Sequence, residues 1–392
     1  MYKPNIYVSF CDGCHVEIDC PDKKKYKIVI SEGDKILFTS FNWTKVTSYE
    51  LTEDNYKFID YKVEVFSDSG LIFSEKLSLN GKKVKINFDS SALGDTLAWL
   101  GHCDRFQKIH QCELYVNCKF KELFEPVYPN IRFTDAEPDC NRGDNTIIPG
   151  LKNKSCKDFF CFYLPCKCYY ATYDLGFYSR IPYLKTIPLS EVACHMLGIP
   201  FEETKTKVFI EKEKKIHEKK YVCIAVQSTG QYKYWNNPTG WQEVCDYLKL
   251  IGYDVICIDK FDNYGFDGYV NSSPIGIINK TGDIPLQDRI TDILNCDFFI
   301  GLGSGLSWLA WCLNKPVIMI SGFSNPMTEF YSSYRVFNPN VCNSCWNDTK
   351  VQNHTQSGWS YCPRNKNFEC SSEISSKMVI SKIDLVIKTE NL

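Results

Sequence analysis

A glycine-rich segment near residue 300 has the residue types of an anion-binding turn. Gly301-Leu302-Gly303-Ser304-Gly305-Leu306 lies between a predicted strand, Phe298 to Ile300, and a predicted helix that ends at Leu313. Glycines let the backbone approach a ligand, Ser304 suits the N-cap, and the first N–H groups of a helix favour phosphate. The third glycine of the dinucleotide fingerprint and the Lys-Ser/Thr ending of a P-loop are both absent. The pattern indicates a phosphate site or a simple tight turn.

Two further loops carry groups that could act on the same ligand. Gln227 to Trp235 follows a predicted strand and contains Lys233, which could neutralise a diphosphate, beside aromatic rings that could stack on a sugar or base. A polar loop with an exposed lysine is the alternative. Asp95 follows another predicted strand, Val84 to Phe88, and is a candidate general base or a cap of its own helix.

Four cysteines near the C-terminus have the spacing of a metal site. Cys342, Cys345, Cys362 and Cys370 form Cys-x2-Cys-x16-Cys-x7-Cys in a turn-rich segment. A closed tetrathiolate site suits zinc or a single iron, and the spacing does not distinguish them. Four protein ligands leave no open position, so the metal is expected to be structural. The other cysteines, including Cys11, Cys14 and Cys20 and the group of Cys156, Cys161, Cys166 and Cys168, are interpreted as packed thiols of unassigned role.

Composition narrows the class of protein. The chain has 392 residues, a formal charge of −2 and 21 cysteines. This charge gives no electrostatic basis for binding nucleic acid. No apolar run reaches the roughly 18 residues of a membrane span, and the N-terminus does not resemble a signal peptide. We therefore expect a cytoplasmic protein with reduced cysteines.

The predicted elements place the three loops at strand ends. Residues 1–83 show strand patterns, at Tyr26 to Ile30 and Tyr61 to Phe66, with turn signals at Asp68-Ser69-Gly70 and Asn80-Gly81, the latter a hairpin signal. From Val84 onward, strands alternate with helices, which predicts parallel α/β sheets whose ligands lie off the carboxyl ends of the strands.

In this order of motifs the chain resembles the ADP-heptose glycosyltransferases of the GT-B fold. Leu93-Gly94-Asp95 follows the first α/β strand, a loop with Lys233 and Trp235 comes next, and Gly301 to Ala310 is followed by Lys315-Pro316. Within that group it most resembles the bacterial autotransporter heptosyltransferases. The lipopolysaccharide enzymes usually have Asp-Thr-Gly-Leu-x-His, where this chain has Gly303-Ser304-Gly305-Leu306-Ser307-Trp308.

The resemblance implies an architecture and a set of roles. It implies two Rossmann-type lobes facing a cleft, with an N-terminal β domain (1–83), an acceptor-side lobe with the catalytic base (84–215), an ADP-sugar lobe (216–337), a cysteine metal finger (338–372) and a C-terminal helix (373–392). Asp95 would be the base and Lys233 would bind the diphosphate. The remaining residues implied at the donor are Thr229, Trp235, Ser304, Gly305, Leu306 and Asn325.

The implied reaction is transfer of heptose from ADP-glycero-manno-heptose to serine hydroxyls of an autotransporter adhesin passenger domain, with inversion. No Asp-x-Asp occurs in the sequence, which favours a reaction without a catalytic metal. The resemblance also implies iron at the four cysteines and a homo-oligomer, a dodecamer in this family. The alternatives are a heptosyltransferase for lipopolysaccharide core, which would need a basic or amphipathic face not found in the sequence, and a non-catalytic assembly scaffold.

Overall fold

The computed structural model describes residues 4–20, 24–42, 46–50, 57–134, 168–176, 178, 181–211, 217–266, 269–351 and 361–392. Over these residues the chain forms strands and helices that we number in chain order. The strands are β1 (Asn5–Cys11), β2 (Gly13–Asp19), β3 (Tyr26–Glu32), β4 (Lys35–Asn42), β5 (Val46–Glu50), β6 (Tyr61–Ser67), β7 (Gly70–Lys76), β8 (Lys83–Phe88), β9 (Glu113–Asn117), β10 (Ile131–Thr134), β11 (Ala171–Leu175), β12 (Tyr221–Ile224), β13 (Asp254–Cys257), β14 (Asn263–Phe266), β15 (Tyr269–Ser272), β16 (Ile278–Asn279), β17 (Phe299–Leu302) and β18 (Val317–Ile320). The α-helices are α1 (Leu93–His110), α2 (Leu189–Leu197), α3 (Gly240–Leu250), α4 (Leu286–Asn295), α5 (Gly305–Cys312), α6 (Glu369–Ser372) and α7 (Ser376–Glu390).

The described chain divides into two compact units. The first comprises Met1–Ser91, His102–Ile181 and Ala193–Phe201, and the second comprises Ala92–Gly101, Pro182–Val192 and Glu202–Leu392. Helix α1 therefore begins in the second unit and ends in the first. In the part of the chain that the structure describes, no helix is long and apolar enough to cross a membrane.

The first unit contains a mixed sheet with strand order β10-β9-β8-β11-β1-β2-β5. Strands β10 to β1 run parallel, whereas β2 is antiparallel to both β1 and β5. The predicted domain boundary after residue 83 thus separates strands of a single sheet, because β1, β2 and β5 extend the sheet that contains β8. This unit is therefore not a purely parallel, Rossmann-type sheet.

A smaller antiparallel sheet of the first unit has the order β4-β3-β6-β7. The turn predicted at Asp68-Ser69-Gly70 joins the paired strands β6 and β7, as expected. The hairpin predicted at Asn80-Gly81 is wrong. A turn is present there, with Gly81 at φ 67°, but it leads from β7 into β8, which belongs to the other sheet. The dipeptide sets the local turn, whereas the sheet partners are set by tertiary packing.

The second unit is built on a parallel sheet with the order β16-β13-β12-β17-β18. Every residue of β12, β17 and β18 is buried, as expected for strands covered on both faces. Helix α3 buries Trp241, Val244, Cys245 and Leu248 on one face. Gly252, two residues beyond the helix, adopts φ 94°, the left-handed conformation that commonly ends a helix.

The strand order of this sheet creates a topological switch point. From β12 the chain moves to β13 on one side, and β17 pairs with β12 on the other. The loops that follow β12 and β17 therefore leave neighbouring strands at the same edge of the sheet. In open α/β sheets this is where ligands bind.

The N-terminal cysteines are packed thiols, as the sequence favours. Cys11 and Cys14 are buried, and Cys20 accepts a hydrogen bond from the Tyr26 hydroxyl at 3.3 Å. Burial raises the pKa of the Cys14 thiol well above its usual value. Cys168 is half-buried, whereas Cys156, Cys161 and Cys166 lie outside the described residues.

Candidate functional site

Lys233 lies in the loop that follows β12. It ends a single 3₁₀ turn, Gln231–Lys233, held by backbone bonds from the N–H groups of Lys233 and Tyr234 to the carbonyls of Gly230 and Gln231. The side chain is half-buried. No other described residue forms a hydrogen bond or an ion pair with its ammonium. A half-buried ammonium with no anionic partner among the described residues, such as that of Lys233, is suited to bind an anionic ligand.

The glycine-rich turn after β17 begins helix α5. Ser304 is the N-cap residue, as predicted, with extended backbone angles of φ −141° and ψ 170°, but its side chain does not cap the helix. Its Oγ atom is buried and, within the described residues, has no hydrogen-bond partner. The N–H groups of Gly305 and Leu306 begin the helix, where no intrahelical acceptor exists. These groups form an electropositive cradle.

The first turn of α1 packs directly on this cradle. A Cβ atom at Gly305 would lie 3.0 Å from Leu93 Cβ and 3.2 Å from the Gly94 backbone nitrogen. A Cβ atom at Gly94 would lie 3.2 Å from a ring carbon of Trp308 and 3.5 Å from Gly305 Cα. A Cβ atom at either position would therefore require its neighbours to move by a few tenths of an ångström. Asp95 follows Gly94 directly and is half-buried in the first turn of α1.

Asn325 belongs to a turn that another asparagine holds in place. Its backbone N–H donates to Asn347 Oδ1 at 2.7 Å, and its own Oδ1 accepts from the Met327 N–H at 3.1 Å. The Asn347 amide also donates to the Lys185 carbonyl at 2.7 Å and to Thr328 Oγ1 at 2.9 Å. The Asn325 side chain is thus engaged locally. Thr229, in the loop that contains Lys233, is exposed.

The expectation that Trp235 contacts a ligand needs correction. The indole is 2% exposed and lies in the hydrophobic core with Trp241, at a ring distance of 5.1 Å. Its Nε1 donates to the Ile374 carbonyl at 2.8 Å. A large apolar ring with a satisfied N–H is stable in a core, so Trp235 anchors the loop from below.

A buried carboxylate that sequence reasoning missed supports the start of the same loop. Asp259, after β13, accepts from the Val226 N–H at 2.6 Å. Burial raises the pKa of its carboxyl group to about 6, although backbone N–H groups and the nearby Arg289 favour the charged form. The Arg289 guanidinium donates to four backbone carbonyls around it, those of Ile258, Asp259, Gly282 and Ile284. The sequence signal that could have identified Asp259 is an aspartate that follows a buried strand.

A second missed carboxylate lies against the glycine-rich turn. Glu329 Oε1 accepts from Ser324 Oγ at 2.7 Å, and a Cβ atom at position 303 would lie 2.7 Å from that oxygen. Its Oε2 atom lies 2.8 Å from an Arg335 nitrogen. The two groups form an ion pair, although they are not aligned for a hydrogen bond. Gly303 therefore leaves space for this carboxylate, which explains why the turn has no side chain there.

The four cysteines of the predicted finger lie in one region. Cys345 and Cys370 are buried, and Cys342 and Cys362 are half-buried. The pKa of Cys345 is raised to about 11, mainly by burial and secondly by the charge of Cys342. The pKa of Cys370 is raised to about 12, mainly by burial and secondly by the charge of Cys345. Among the described residues, no three His, Cys, Asp or Glu side chains are arranged as metal ligands. Four thiols are a donor set that zinc or a single iron ion takes once they are deprotonated.

The chain is similar in sequence to known glycosyltransferases. Residues 191–358 match the model of glycosyltransferase family 9 (heptosyltransferase). The chain is 36% identical over 393 residues to the autotransporter heptosyltransferase TibC of Escherichia coli O78:H11, covering 96% of this chain and 88% of TibC. It is also 36% identical over 394 residues to the autotransporter heptosyltransferase BAHTCr of Citrobacter rodentium, covering 96% and 87% of the two chains.

A solved structure extends the similarity to the fold. The iron-containing dodecameric glycosyltransferase TibC from enterotoxigenic E. coli H10407 superposes with a TM-score of 0.83 at 33% identity, covering 98% of this chain and 96% of TibC. TibC has also been solved in complex with ADP-D-beta-D-heptose, with a TM-score of 0.82 and the same coverage. The fold and the site thus define a family 9 glycosyltransferase. Within that class, the chain belongs to the autotransporter heptosyltransferases.

The close approach of Gly94 and Gly305 yields a first prediction. Gly305→Ala should force Leu93 and Gly94 away from the cradle by a few tenths of an ångström and lower kcat roughly tenfold, because small misplacements of reacting groups are costly. ADP release under saturating donor measures kcat, and circular dichroism reports folding. Gly94→Ala, which acts from the opposite side, should change kcat in the same direction. Wild-type kcat in both folded variants would show that the approach is not required.

Proposed function

We propose that this chain transfers heptose from ADP-glycero-manno-heptose to serine hydroxyls of an autotransporter adhesin passenger domain. The observation that carries the proposal is the contact of the first turn of α1, which contains Asp95, with the N-terminus of α5. In the proposed reaction, Asp95 would act on the acceptor and the N-terminus of α5 would hold the leaving group. The names of TibC and BAHTCr support an autotransporter acceptor over lipopolysaccharide core.

The residues support an inverting single displacement. The serine oxygen attacks the anomeric carbon of the heptose, and the bond from that carbon to the diphosphate oxygen breaks. The Asp95 carboxylate takes the hydroxyl proton, and ADP leaves with the electron pair of the broken bond. The Lys233 ammonium and the N–H groups of Gly305 and Leu306 would stabilise its growing negative charge, as preorganised donors do. These groups would make the reaction independent of a catalytic metal.

We propose secondary roles for the other donor-site residues. Ser304 Oγ, buried without a partner among the described residues, would donate to a phosphate oxygen. Asn325 and Thr229 would lie at the edge of the donor site. Trp235 would act only as a support, because its ring is in the core.

We further propose that Cys342, Cys345, Cys362 and Cys370 bind one structural iron ion, and that zinc suits the same ligands. The support is the four-thiol donor set, half of it buried, and the iron content of TibC. A homo-oligomer is proposed on the dodecameric state of TibC. A cytoplasmic location is proposed because transfer requires an ADP-sugar.

Replacement of Asp95 tests the base. Asp95→Asn keeps the shape of the side chain but cannot accept the proton, so transfer to a passenger fragment should fall roughly 10²–10⁴-fold. Calorimetry should give an ADP affinity within about twofold of wild type, since the diphosphate contacts remain. Asp104→Asn, on the same helix but paired with Lys108 at 2.6 Å, is the matched control and should leave transfer unchanged. Full transfer by Asp95→Asn would exclude Asp95 as the base.

Loss of one thiol tests the metal site. Cys342→Ser should lose the bound metal and yield little soluble protein, because a structural metal contributes folding free energy directly. Metal analysis of the purified protein measures both the amount and the identity of the ion. Cys20→Ser, a half-buried thiol of the first unit, should retain wild-type metal. Stoichiometric metal in Cys342→Ser would contradict the four-ligand assignment.

A further inference from the structure

The chain that follows Lys233 is hydrogen-bonded to the chain that follows Cys370. Ser371 Oγ accepts from the Asn236 side-chain amide at 2.8 Å and from the Asn236 backbone N–H at 3.3 Å. The same hydroxyl donates to the Phe368 carbonyl at 3.4 Å. Ser371 is 2% exposed. Its hydroxyl therefore connects the lysine loop to the segment between Cys362 and Cys370.

The residues on either side of Asn236 make the same connection. Trp235 Nε1 donates to the Ile374 carbonyl at 2.8 Å, and the Asn237 amide donates to the carbonyls of Ser372 and Ile374 at 3.3 and 3.2 Å. Three consecutive residues of the loop thus bind a single short stretch that begins directly after the last predicted metal ligand.

The chain before Lys233 also packs on the cysteine segment, by which we mean the predicted finger at residues 338–372. The Tyr232 ring lies 3.9 Å from the Phe323 ring, and both belong to a small hydrophobic cluster with Cys345 and Phe368. The backbone N–H of Trp346 donates to the Phe323 carbonyl at 3.1 Å. Lys233 is therefore flanked on both sides by residues whose partners lie in or beside the cysteine segment.

Inside the loop, two backbone bonds form the 3₁₀ turn, and the Gln231 amide donates to Asn236 Oδ1 at 2.6 Å. Asn236 takes part both in these internal bonds and in the bonds to Ser371, because its amide also donates to the Gln231 and Tyr234 carbonyls. Loss of the Ser371 hydroxyl would leave the Asn236 backbone N–H without this acceptor and would remove the bond of the amide to a residue outside the loop, so the loop could shift.

We propose that Ser371 and Asn236 are positioning residues that set the location of the Lys233 ammonium, so that donor affinity depends on the folded cysteine segment. This inference rests on the proposed role of Lys233 in binding the diphosphate. The cysteine segment would then contribute to donor binding as well as holding the proposed structural metal. Neither Ser371 nor Asn236 needs to touch the donor.

The experiment is a double-mutant cycle on ADP binding, measured by calorimetry on the full chain. Ser371→Ala should weaken ADP binding about tenfold, because the loss of about one hydrogen bond in free energy corresponds to about tenfold in affinity. The variant should retain wild-type metal content. Ser372→Ala, the adjacent serine with a half-buried side chain, is the matched control and should bind ADP as wild type does. Asn236→Ala removes the contact from the other side and should reproduce Ser371→Ala.

The double variant separates positioning from general destabilisation. If Ser371 acts through Lys233, Ser371→Ala added to Lys233→Ala should cost no further ADP affinity, because coupled residues are not additive. Fully additive losses, or wild-type affinity in both Ser371→Ala and Asn236→Ala, would overturn the inference. Wild-type affinity in Lys233→Ala would instead remove the proposed diphosphate contact itself, so the two failures are distinguishable.

Discussion

The contact of two helix N-termini is the constraint on which the site depends. Gly94 in α1 and Gly305 in α5 approach so closely that a side chain on either would meet the backbone or a ring of the other helix. The N-terminus of a helix carries the positive end of its dipole, which favours anions. One of these two helices carries Asp95 in its first turn, and the other begins with Ser304 and Gly305. A proton acceptor and an electropositive surface are the two requirements of an inverting sugar transfer.

Buried polar side chains keep the neighbouring loops in shape. Asp259 holds the start of the loop after β12 through the Val226 N–H, and Glu329 occupies the space that Gly303 leaves beside the turn after β17. Ser371 holds the far end of the first loop. Each of these residues is deeply buried, so breaking its hydrogen bonds would leave a polar group without water. The rigidity of the site therefore comes from side chains that no ligand needs to touch.

Much of the second unit was predictable because its signals are local. Strands β12, β13, β17 and β18 are apolar runs, α3 has a clear amphipathic period, and Gly252 stops it. Long-range pairing was not predictable: Asn80-Gly81 forms a turn without a hairpin, and β1, β2 and β5 join the sheet of β8. Trp235 was misread because a tryptophan in a polar loop gives no sign of whether it faces ligand or core. Asp259, Glu329 and Ser371 gain their roles only through contacts distant in sequence.

If the proposed roles of Asp95 and the N-terminus of α5 are right, the chain transfers heptose from ADP-heptose to serine. The most direct measurement is the intact mass of an autotransporter passenger fragment after incubation with the purified chain and ADP-heptose, followed by fragmentation to locate the modified residues. The account predicts stepwise additions of one heptose unit on serines, with release of one ADP per addition. An unmodified passenger, together with tight binding of ADP-heptose, would contradict it.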